Sequence, residues 1–482
     1  MNTSIKKPYF PAFEERSALG LRRLRVKPAM TSLCAIAFGE HVAFGGICNV
    51  AFGSICNVAF GGICNAVGLH RLQFKPAITL CQILIFVCLF AGCSAPTHRL
   101  TDGQWRGAFQ AQDTEIPFIF EIRSAATENP TVTLINGDDR FELTGITYRN
   151  DSVIIPIKIY DAVLEAKIDG ERMSGRLVKL YSNRPDGRVP FTAQKGALPR
   201  FAASDDKAAV SLNGRWEITV PERGNAQQVG VFTQTGDGGL TGSILTVTGD
   251  YRYLEGSVQG NRFYLSAFAG MTPYLIRGQF TDADAFTAEF ITPAGMTRFE
   301  GARNPDAVLP DAYAMTSLKP GYTSLDFRLP DLEGREVSLS DPKYKGKVIV
   351  VTVLGSWCPN CLDEAAFLAP WYIANRSRGV EVVGLAFERR NDIEYARNQL
   401  SVFMEKFGIT YDILFAGSTG AESVANVLPE LTSLMSYPTT FFIDKKGHVR
   451  KIHTGFNGPA TGKFYEEFKN SFNLIINELV NE

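Results

Sequence analysis

The chain has 482 residues, of which 45% are hydrophobic and 21% are charged, and its formal net charge is −1 at pH 7. This length is typical of a chain that folds into more than one domain. The near-neutral net charge gives no electrostatic attraction to nucleic acid or to an anionic membrane surface. We therefore expect a multidomain protein without a nucleic-acid partner.

The N-terminal region carries a tandem repeat of eight residues. VAFGGICN starts at Val42, VAFGSICN at Val50 and VAFGGICN again at Val58. A longer and less exact repeat, GLRRLRVKPAMT from Gly20 and GLHRLQFKPAIT from Gly68, indicates duplication at the DNA level. We interpret residues 1–92 as an N-terminal extension followed by a signal peptide. This segment is either removed from the mature protein or results from a start codon assigned too far upstream. A genuine cysteine-repeat segment that binds metal or membrane is the alternative.

An apolar run precedes Cys93. Residues 77–91 read AITLCQILIFVCLFA, which is too short for a typical membrane-spanning helix and has basic residues ahead of it. The run ends in Leu-Phe-Ala-Gly-Cys and resembles a bacterial lipoprotein signal, although Phe90 departs from the usual aliphatic residue. We predict lipidation of Cys93, a lipidated linker over 93–101, and a membrane-anchored protein of the cell envelope that faces the periplasm. Cleavage near Ser94 or a retained membrane anchor is the alternative.

Residues 102–197 and 211–304 consist of short alternating apolar and polar runs, broken by Gly, Asn and Asp. Gly103 and Trp105 align with Gly214 and Trp216 at one constant offset. The pattern predicts a duplicated all-β region, here β-unit 1 and β-unit 2, each an antiparallel meander that forms a sandwich or an open barrel. We expect both tryptophans to pack in the core rather than to stack on a ligand.

Residues 246–256 of β-unit 2, TVTGDYRYLEG, are the densest in aromatic and charged side chains and are the candidate contact surface of this region. The role of the β-units stays open among dimerisation, spacing from the membrane and selection of clients. A proline-rich linker over 305–322 leads to the last domain.

Residues 323–482 alternate strand and helix patterns, which predicts an α/β sheet that is antiparallel at one edge. The predicted elements are a hairpin over 327–339, a buried strand over 348–354, a helix over 362–374, a strand over 379–387, a helix over 392–407, a strand over 411–415, a strand after Ser436, a hairpin around Gly447 and a helix over 462–479.

Two cysteines lie between the buried strand and the first helix, in Trp357-Cys358-Pro359-Asn360-Cys361. Thiols in C-x-x-C spacing can carry reversible disulfide chemistry. Cys358 is expected at the helix N-terminus, where unpaired N–H groups and the helix dipole stabilise a thiolate. Cys361, one turn further on, is expected to be more buried.

Residues 323–482, about a third of the chain, resemble a thioredoxin-fold domain of the TlpA-like extracytoplasmic thiol-disulfide oxidoreductases. The matching segments are the C-x-x-C motif, Pro-Thr-Thr-Phe-Phe-Ile-Asp from Pro438, Asp331-Leu332-x-Gly334, and an extra helix and strand between Phe387 and Ser436. The resemblance implies a cis Pro438 that faces the cysteines and a Tyr437 backbone that pairs with an extended substrate. It also implies that Glu364 tunes the Cys361 thiol or relays its proton; a solvated Glu364 is the alternative.

The resemblance implies an enzyme without a cofactor that exchanges disulfides with extracytoplasmic client proteins. Cys358 attacks and Cys361 resolves, with Trp357, Glu364 and Pro438 completing the site. A membrane thiol reductase is the implied electron donor, and a lipid on Cys93 would hold the domain near it. The sequence leaves the direction of exchange open.

Three other readings remain. A zinc site can be drawn from the two cysteines with His448 and His453, although the pairs are far apart in sequence. A thiol peroxidase of the same fold would need a different setting for Cys358. In a binding lipoprotein, the β-units would capture a polypeptide or glycan and the cysteine pair would be structural.

Overall fold

The computed structural model describes residues 99–482 except 203, 205 and 225. These described residues form one compact unit. The eight-residue repeat, the signal segment and Cys93 lie outside the described residues, so the expectations for them stay predictions. No helix in the described part of the chain has both the length and the apolar character needed to cross a membrane.

β-unit 1 is one antiparallel sheet of nine strands in the order β4-β3-β2-β1-β9-β8-β7-β6-β5. Alternate residues of its strands are buried, as in β3 and β6, because successive side chains point to opposite faces. The strands are β1 Gly103–Ala111, β2 Thr114–Arg123, β3 Thr131–Asn136, β4 Asp139–Leu143, β5 Thr147–Arg149, β6 Ser152–Ile157, β7 Ala162–Asp169, β8 Arg172–Lys179 and β9 Arg188–Lys195.

β-unit 2 is a second nine-stranded antiparallel sheet. Its strand β11 pairs with both β10 and β12, so the sheet closes on itself. The predicted antiparallel strand content of both units is thereby confirmed. The strands are β10 Gly214–Val220, β11 Ala226–Gln234, β12 Gly239–Thr246, β13 Gly249–Asp250, β14 Leu254–Gln259, β15 Arg262–Ala267, β16 Tyr274–Phe280, β17 Ala285–Thr292 and β18 Gly295–Arg303.

Both tryptophans pack in the core, as predicted, with no exposed surface. The indole nitrogen of Trp105 donates to the carbonyl of Thr101 at 3.2 Å. That of Trp216 donates to the carbonyl of Leu212 at 2.8 Å. Each indole therefore satisfies its only polar group locally while its ring fills the core, which leaves neither ring available to stack on a ligand.

The C-terminal α/β domain has a five-stranded sheet in the order β23-β22-β21-β24-β25, parallel among the first three strands and antiparallel at β24 and β25. The predicted hairpin and mixed sheet are confirmed, but the short α3 was not predicted. The elements are β19 Arg328–Pro330, β20 Glu336–Ser338, β21 Val348–Leu354, α1 Pro359–Asn375, β22 Val380–Glu388, α2 Ile393–Phe407, β23 Asp412–Ser418, α3 Ala421–Val427, β24 Thr439–Ile443, β25 Val449–Thr454 and α4 Lys463–Asn481.

Glycines opposite phenylalanines shape the core of β-unit 2. Gly278 on β16 pairs with Phe263 on β15, and a Cβ added to Gly278 would lie 2.0 Å from the Phe263 ring. Gly301 on β18 likewise pairs with Phe286 on β17, and a Cβ added to Gly301 would lie 2.1 Å from the Phe286 ring. The ring of each phenylalanine thus lies flat over the backbone of its cross-strand glycine, and this packing requires the absence of a side chain.

We expect Gly278→Ala to destabilise the protein by about 1–3 kcal/mol, because the new methyl overlaps a ring that is itself buried. Thermal unfolding of the variant measures the effect. Gly236→Ala is the matched control, since a Cβ at Gly236 has nothing within 4 Å, and it should change stability by no more than about 0.5 kcal/mol. Equal melting temperatures for the two variants would contradict this account of the core.

Candidate functional site

The two cysteines lie where the buried strand β21 meets helix α1, as predicted. All seven residues of β21 are buried, and Cys358 is the N-cap of α1 with Pro359 in the first turn. The Cys358 sulfur accepts a hydrogen bond from the Cys361 backbone N–H at 3.3 Å. Both thiols are free. The helix N-terminus thus directs an N–H group at the Cys358 sulfur, the arrangement that stabilises a thiolate.

The loop before β24 lies against the same sulfur. The Cys358 thiol donates to the carbonyl of Tyr437 at 3.3 Å, and the Tyr437–Pro438 peptide bond is cis. The cis bond and the proximity to the cysteines agree with the expectation for Pro438. The Tyr437 carbonyl also accepts from Ser436 Oγ at 3.2 Å.

Trp357 is held in place from two sides. Its indole nitrogen donates to the carbonyl of Phe387 at 2.9 Å, and its ring meets that of Tyr437 edge-on, 5.3 Å between centroids. The Arg389 guanidinium lies 5.6 Å from the Trp357 ring. Trp357 therefore links the C-x-x-C motif to the Tyr437 loop and fixes the wall of the site beside Cys358.

Glu364 is buried, so the alternative of a solvated residue is wrong. Its carboxylate accepts hydrogen bonds from Thr352 and Thr440, both at 2.5 Å, from the two sheet strands beneath α1. Burial raises the pKa of Glu364 to about 7, and the two threonine hydroxyls oppose that shift. Burial also raises the pKa of Cys361, and Cys358 and Glu364 add to the effect.

Two further buried carboxylates flank the motif and were not identified from the sequence. Glu388, at the end of β22, accepts from the backbone N–H and the hydroxyl of Ser356, each at 2.9 Å, and burial raises its pKa to about 7. Burial likewise raises the pKa of Asp363 to about 7, although the positive charge of Arg252 acts to lower it. The only sequence signal for Glu388 is a charged residue that ends an apolar run.

The capping segment, residues 246–253, lies over the N-terminus of α1. This stretch belongs to the candidate contact surface predicted from the sequence, and what it contacts is the cysteine motif of the same chain. Its Thr248 carbonyl accepts from Ser436 Oγ at 2.9 Å, and its Asp250 carboxylate accepts from the Gly458 N–H at 2.6 Å. With its amide oriented to satisfy both atoms, Asn360 bonds the backbone N–H and C=O of Asp250 at 3.0 and 3.2 Å.

Two residues of the capping segment make its fit to α1 possible. A Cβ on Gly249 would lie 1.5 Å from the Asn360 amide, and its φ of +146° suits glycine. The Arg252 guanidinium forms an ion pair with Asp363 at 2.9 Å, and the two side chains are only 13% and 10% exposed. The capping segment is therefore joined to the C-x-x-C helix by backbone, amide and charge contacts together.

A cavity of about 280 Å³ lies between the capping segment and the cysteine motif. Cys358, Asn360 and Tyr437 line one side, and residues of both β-units line the others. Cys358 keeps 6% of its surface exposed and Cys361 keeps 1%. The Cys358 residue thus lines this half-open cavity and keeps little exposed surface of its own.

The zinc reading finds no support in the described residues, which contain no cluster of three or more His, Cys, Asp or Glu side chains placed to hold a metal ion. His453 is buried, with its ring against Tyr313 and Phe468. His448 lies beside Asp444, 3.7 Å from its carboxylate. Each histidine therefore packs against or lies beside side chains other than the two cysteines.

Known proteins match the C-terminal domain. The model of the AhpC/TSA family matches residues 320–452. Thiol-disulfide oxidoreductase ResA of Geobacillus thermodenitrificans is 34% identical over 140 residues, which cover 29% of this chain and 72% of that protein. ResA of Bacillus subtilis is 28% identical over 139 residues, which cover 29% of this chain and 69% of that protein. A solved thiol:disulfide interchange protein of the thioredoxin family from Chlorobium tepidum covers 34% of this chain and 99% of its own, with 21% identity and a TM-score of 0.26.

We expect Glu364→Gln to flatten the pH dependence of stability. The folded-state pKa of Glu364 is raised from 4.5 to about 7, so its contribution to stability is fully present below about pH 4.5 and is lost as the pH rises through 7. Glutamine stays neutral, so between pH 5 and 7 the slope of unfolding free energy against pH should change by on the order of 1 kcal/mol per pH unit.

Thermal or denaturant unfolding of both proteins across pH 5 to 8 measures this difference. Glu422→Gln is the control, because Glu422 is exposed in the first turn of α3. Its profile should coincide with that of the unmodified protein. Parallel profiles for Glu364→Gln and the unmodified protein would show that Glu364 does not hold a proton in this range.

Proposed function

Because the chain belongs to the thioredoxin-like thiol-disulfide oxidoreductases of the ResA type, we propose that its Cys358–Cys361 pair carries the exchange reaction with the disulfides of extracytoplasmic proteins. The observation that carries the proposal is the Cys358 sulfur, which caps helix α1 and accepts the Cys361 N–H. A thiolate at that position is stabilised by the helix and is the reactive nucleophile in disulfide exchange.

The exchange runs in two steps. The Cys358 thiolate attacks one sulfur of the client disulfide; the client S–S bond breaks, a Cys358–client disulfide forms, and the other client sulfur leaves as a thiolate that takes up a proton. The Cys361 thiolate then attacks the Cys358 sulfur and releases the second client thiol. The pair loses two electrons to form its own disulfide, and the client gains them.

We propose that Glu364 receives the proton of Cys361. The raised pKa of the buried Cys361 thiol means that it needs a base to act as the resolving nucleophile, and a carboxyl with a pKa of about 7 one helical turn away is suited to that role. Trp357 and the Tyr437–Pro438 loop position the site around Cys358, through the Trp357 ring and the Tyr437 carbonyl.

Export and anchoring belong to the same proposal. The apolar run that ends at Cys93 supports a lipoprotein signal and a periplasm-facing location, with the membrane reached through a lipid on Cys93. From Cys93 onward, the sequence contains no cysteines other than Cys93, Cys358 and Cys361. A reducing role therefore requires an external dithiol, and we propose a membrane thiol reductase as the donor.

We infer that the two β-units arose by duplication. Supporting observations are the equal number of strands in the two sheets and the equivalent tryptophans near their starts. Trp105 and Trp216 both donate from the indole nitrogen to the carbonyl four residues earlier.

We expect Cys361→Ser to accumulate a mixed disulfide with a disulfide-containing client, because the first step still proceeds and the resolving thiol is absent. Non-reducing electrophoresis or intact-mass spectrometry of the adduct, reversed by a reductant, measures it. Cys358→Ser is the matched control and should give no adduct. An adduct of equal yield in Cys358→Ser would assign the nucleophile to the wrong cysteine.

The reduction potential of the pair decides the direction. Equilibration with defined thiol buffers should give a value of about −250 mV or lower for a reductant, whereas a value above about −150 mV would identify an oxidant or isomerase. A pair that does not exchange at all would overturn the proposal in favour of a binding lipoprotein.

A further inference from the structure

The capping segment begins with the tip of a hairpin that belongs to β-unit 2. Strands β12 and β13 pair Leu245 with Asp250 and Thr246 with Gly249, so residues 246–250 form the turn between them. The Thr246 hydroxyl accepts from the Thr248 backbone N–H at 3.2 Å and donates to the Gly249 carbonyl at 3.0 Å. The shape of the tip is therefore supported by hydrogen bonds within the hairpin itself.

This tip bridges the two loops that flank Cys358. On one side, the Asn360 amide at the start of α1 bonds the backbone of Asp250 at 3.0 and 3.2 Å. On the other side, Ser436 donates to the Thr248 carbonyl at 2.9 Å. Ser436 directly precedes the residue whose carbonyl accepts from the Cys358 thiol. The hairpin tip thus extends from one side of the attacking cysteine to the other.

Two charged side chains of the capping segment complete its attachment to the C-terminal domain. The Asp250 carboxylate accepts from the Gly458 backbone N–H at 2.6 Å. The Arg252 guanidinium forms the largely buried ion pair with Asp363 of α1 at 2.9 Å. Because the ion pair is the only contact between full charges among these attachments, we expect it to contribute most to holding the segment in place.

The capping segment restricts access to the Cys358 sulfur. Cys358 is only 6% exposed, and the half-open cavity beside it has a volume of about 280 Å³. Thr248 and residues 250–253 of the capping segment line this cavity. The two sulfurs of a mixed disulfide lie about 2.05 Å apart, so the client cysteine and its neighbouring atoms must enter the cavity. A small reagent can do so, whereas the surface of a folded protein meets the capping segment first.

The contacts that hold the segment are of a kind that water can replace. Hydrogen bonds lost on separation are exchanged for bonds to water, so each contributes little net free energy. Arg252 and Asp363 regain hydration when they separate, which offsets part of their attraction. Val247 is the only aliphatic residue of the tip, and it is only half-buried. Little apolar surface of the tip is therefore exposed to water when the segment moves away.

We propose that the capping segment is a lid over Cys358, closed in this structure, which lifts to admit a protein client. Arg252 is the latch that holds it to α1. The inference rests on the proposed function, because the lid regulates access to the same thiol. β-unit 2 is thereby an autoinhibitory element that keeps Cys358 from bulky disulfides while the lid is closed.

The test compares two alkylating reagents on the reduced, full chain. One is iodoacetamide, and the other is ubiquitin that carries one iodoacetamide group on a surface lysine. Mass spectrometry of the peptide that contains Cys358 gives both rate constants, and their ratio is compared with the same ratio for glutathione. The ratio of the bulky to the small reagent should be at least about tenfold lower at Cys358, because the bulky one reacts only with the open fraction. Equal ratios would overturn the proposal.

Arg252→Gln removes the latch and should raise the ratio at Cys358 by about fivefold or more, because less free energy then holds the lid closed. The ratio cancels any change in the reactivity of the thiol itself. Arg277→Gln is the matched control, because Arg277 pairs with Glu289 at 2.6 Å in the same β-unit and neither residue lines the cavity beside Cys358. Its ratio should equal that of the unmodified protein. A folded Arg252→Gln variant with an unchanged ratio would refute the lid.

Amide hydrogen exchange of the unmodified protein tests the lid without a substitution. The Gly458 N–H is bonded to the Asp250 carboxylate across the contact, whereas Val351 lies in the middle of β21 with a paired strand on each side. Exchange at Gly458 should be at least about a hundredfold faster than at Val351, because lid opening exposes it without unfolding the domain. Equally slow exchange at both amides would mean that the contact opens only on global unfolding, which contradicts the proposal.

Failure of the lid and failure of the proposed function give different results. If Cys358 reacts with both reagents as glutathione does and the pair still exchanges disulfides, only the lid is refuted. If Cys358 does not react even with free iodoacetamide, it is not the accessible nucleophile that disulfide exchange requires. The proposed function would then be refuted together with the lid.

Discussion

The buried ion pair between Arg252 and Asp363 fixes β-unit 2 against the helix that carries the cysteines. Two charged side chains that are 13% and 10% exposed lose much of their hydration, and the pair is tolerable only because each compensates the other at 2.9 Å. Removing one partner of such a pair typically costs about 3–5 kcal/mol, because the remaining charge is left buried. The capping segment is consequently a part of the site's architecture and not a neighbouring surface that happens to touch it.

The same burial sets the proton chemistry of the site. Asp363, Glu364 and Glu388 all have pKa values raised to about 7 by loss of hydration. In the proposed transfer of the Cys361 proton to Glu364, one negative charge replaces another within the same buried region, so the net charge there does not change. The buried Cys361 thiol, with its raised pKa, can thus become a nucleophile without adding a charge to the region between α1 and the sheet.

Local signals in the sequence were sufficient for most of the C-terminal domain. The apolar run of β21, the cysteine spacing and Pro438 each predict their structure from a few adjacent residues, and the structure has all three as expected. The seven-residue α3 was missed because so short a helix has too weak a periodic pattern. The contacts of Arg252 with Asp363 and of Asp250 with Gly458 join residues far apart in the chain, and no local pattern encodes them.

Tyr160 illustrates the same limit within the site. It ends an apolar strand and turn, where a core position is the natural reading, and it is indeed 1% exposed. Only the packing of the β-units against the C-terminal domain shows that Tyr160 is one of the residues that line the cavity beside Cys358. In this chain the lining of that cavity comes largely from the β-units, whereas the cysteines belong to the C-terminal domain, so the thiols and their surroundings come from different parts of one compact unit.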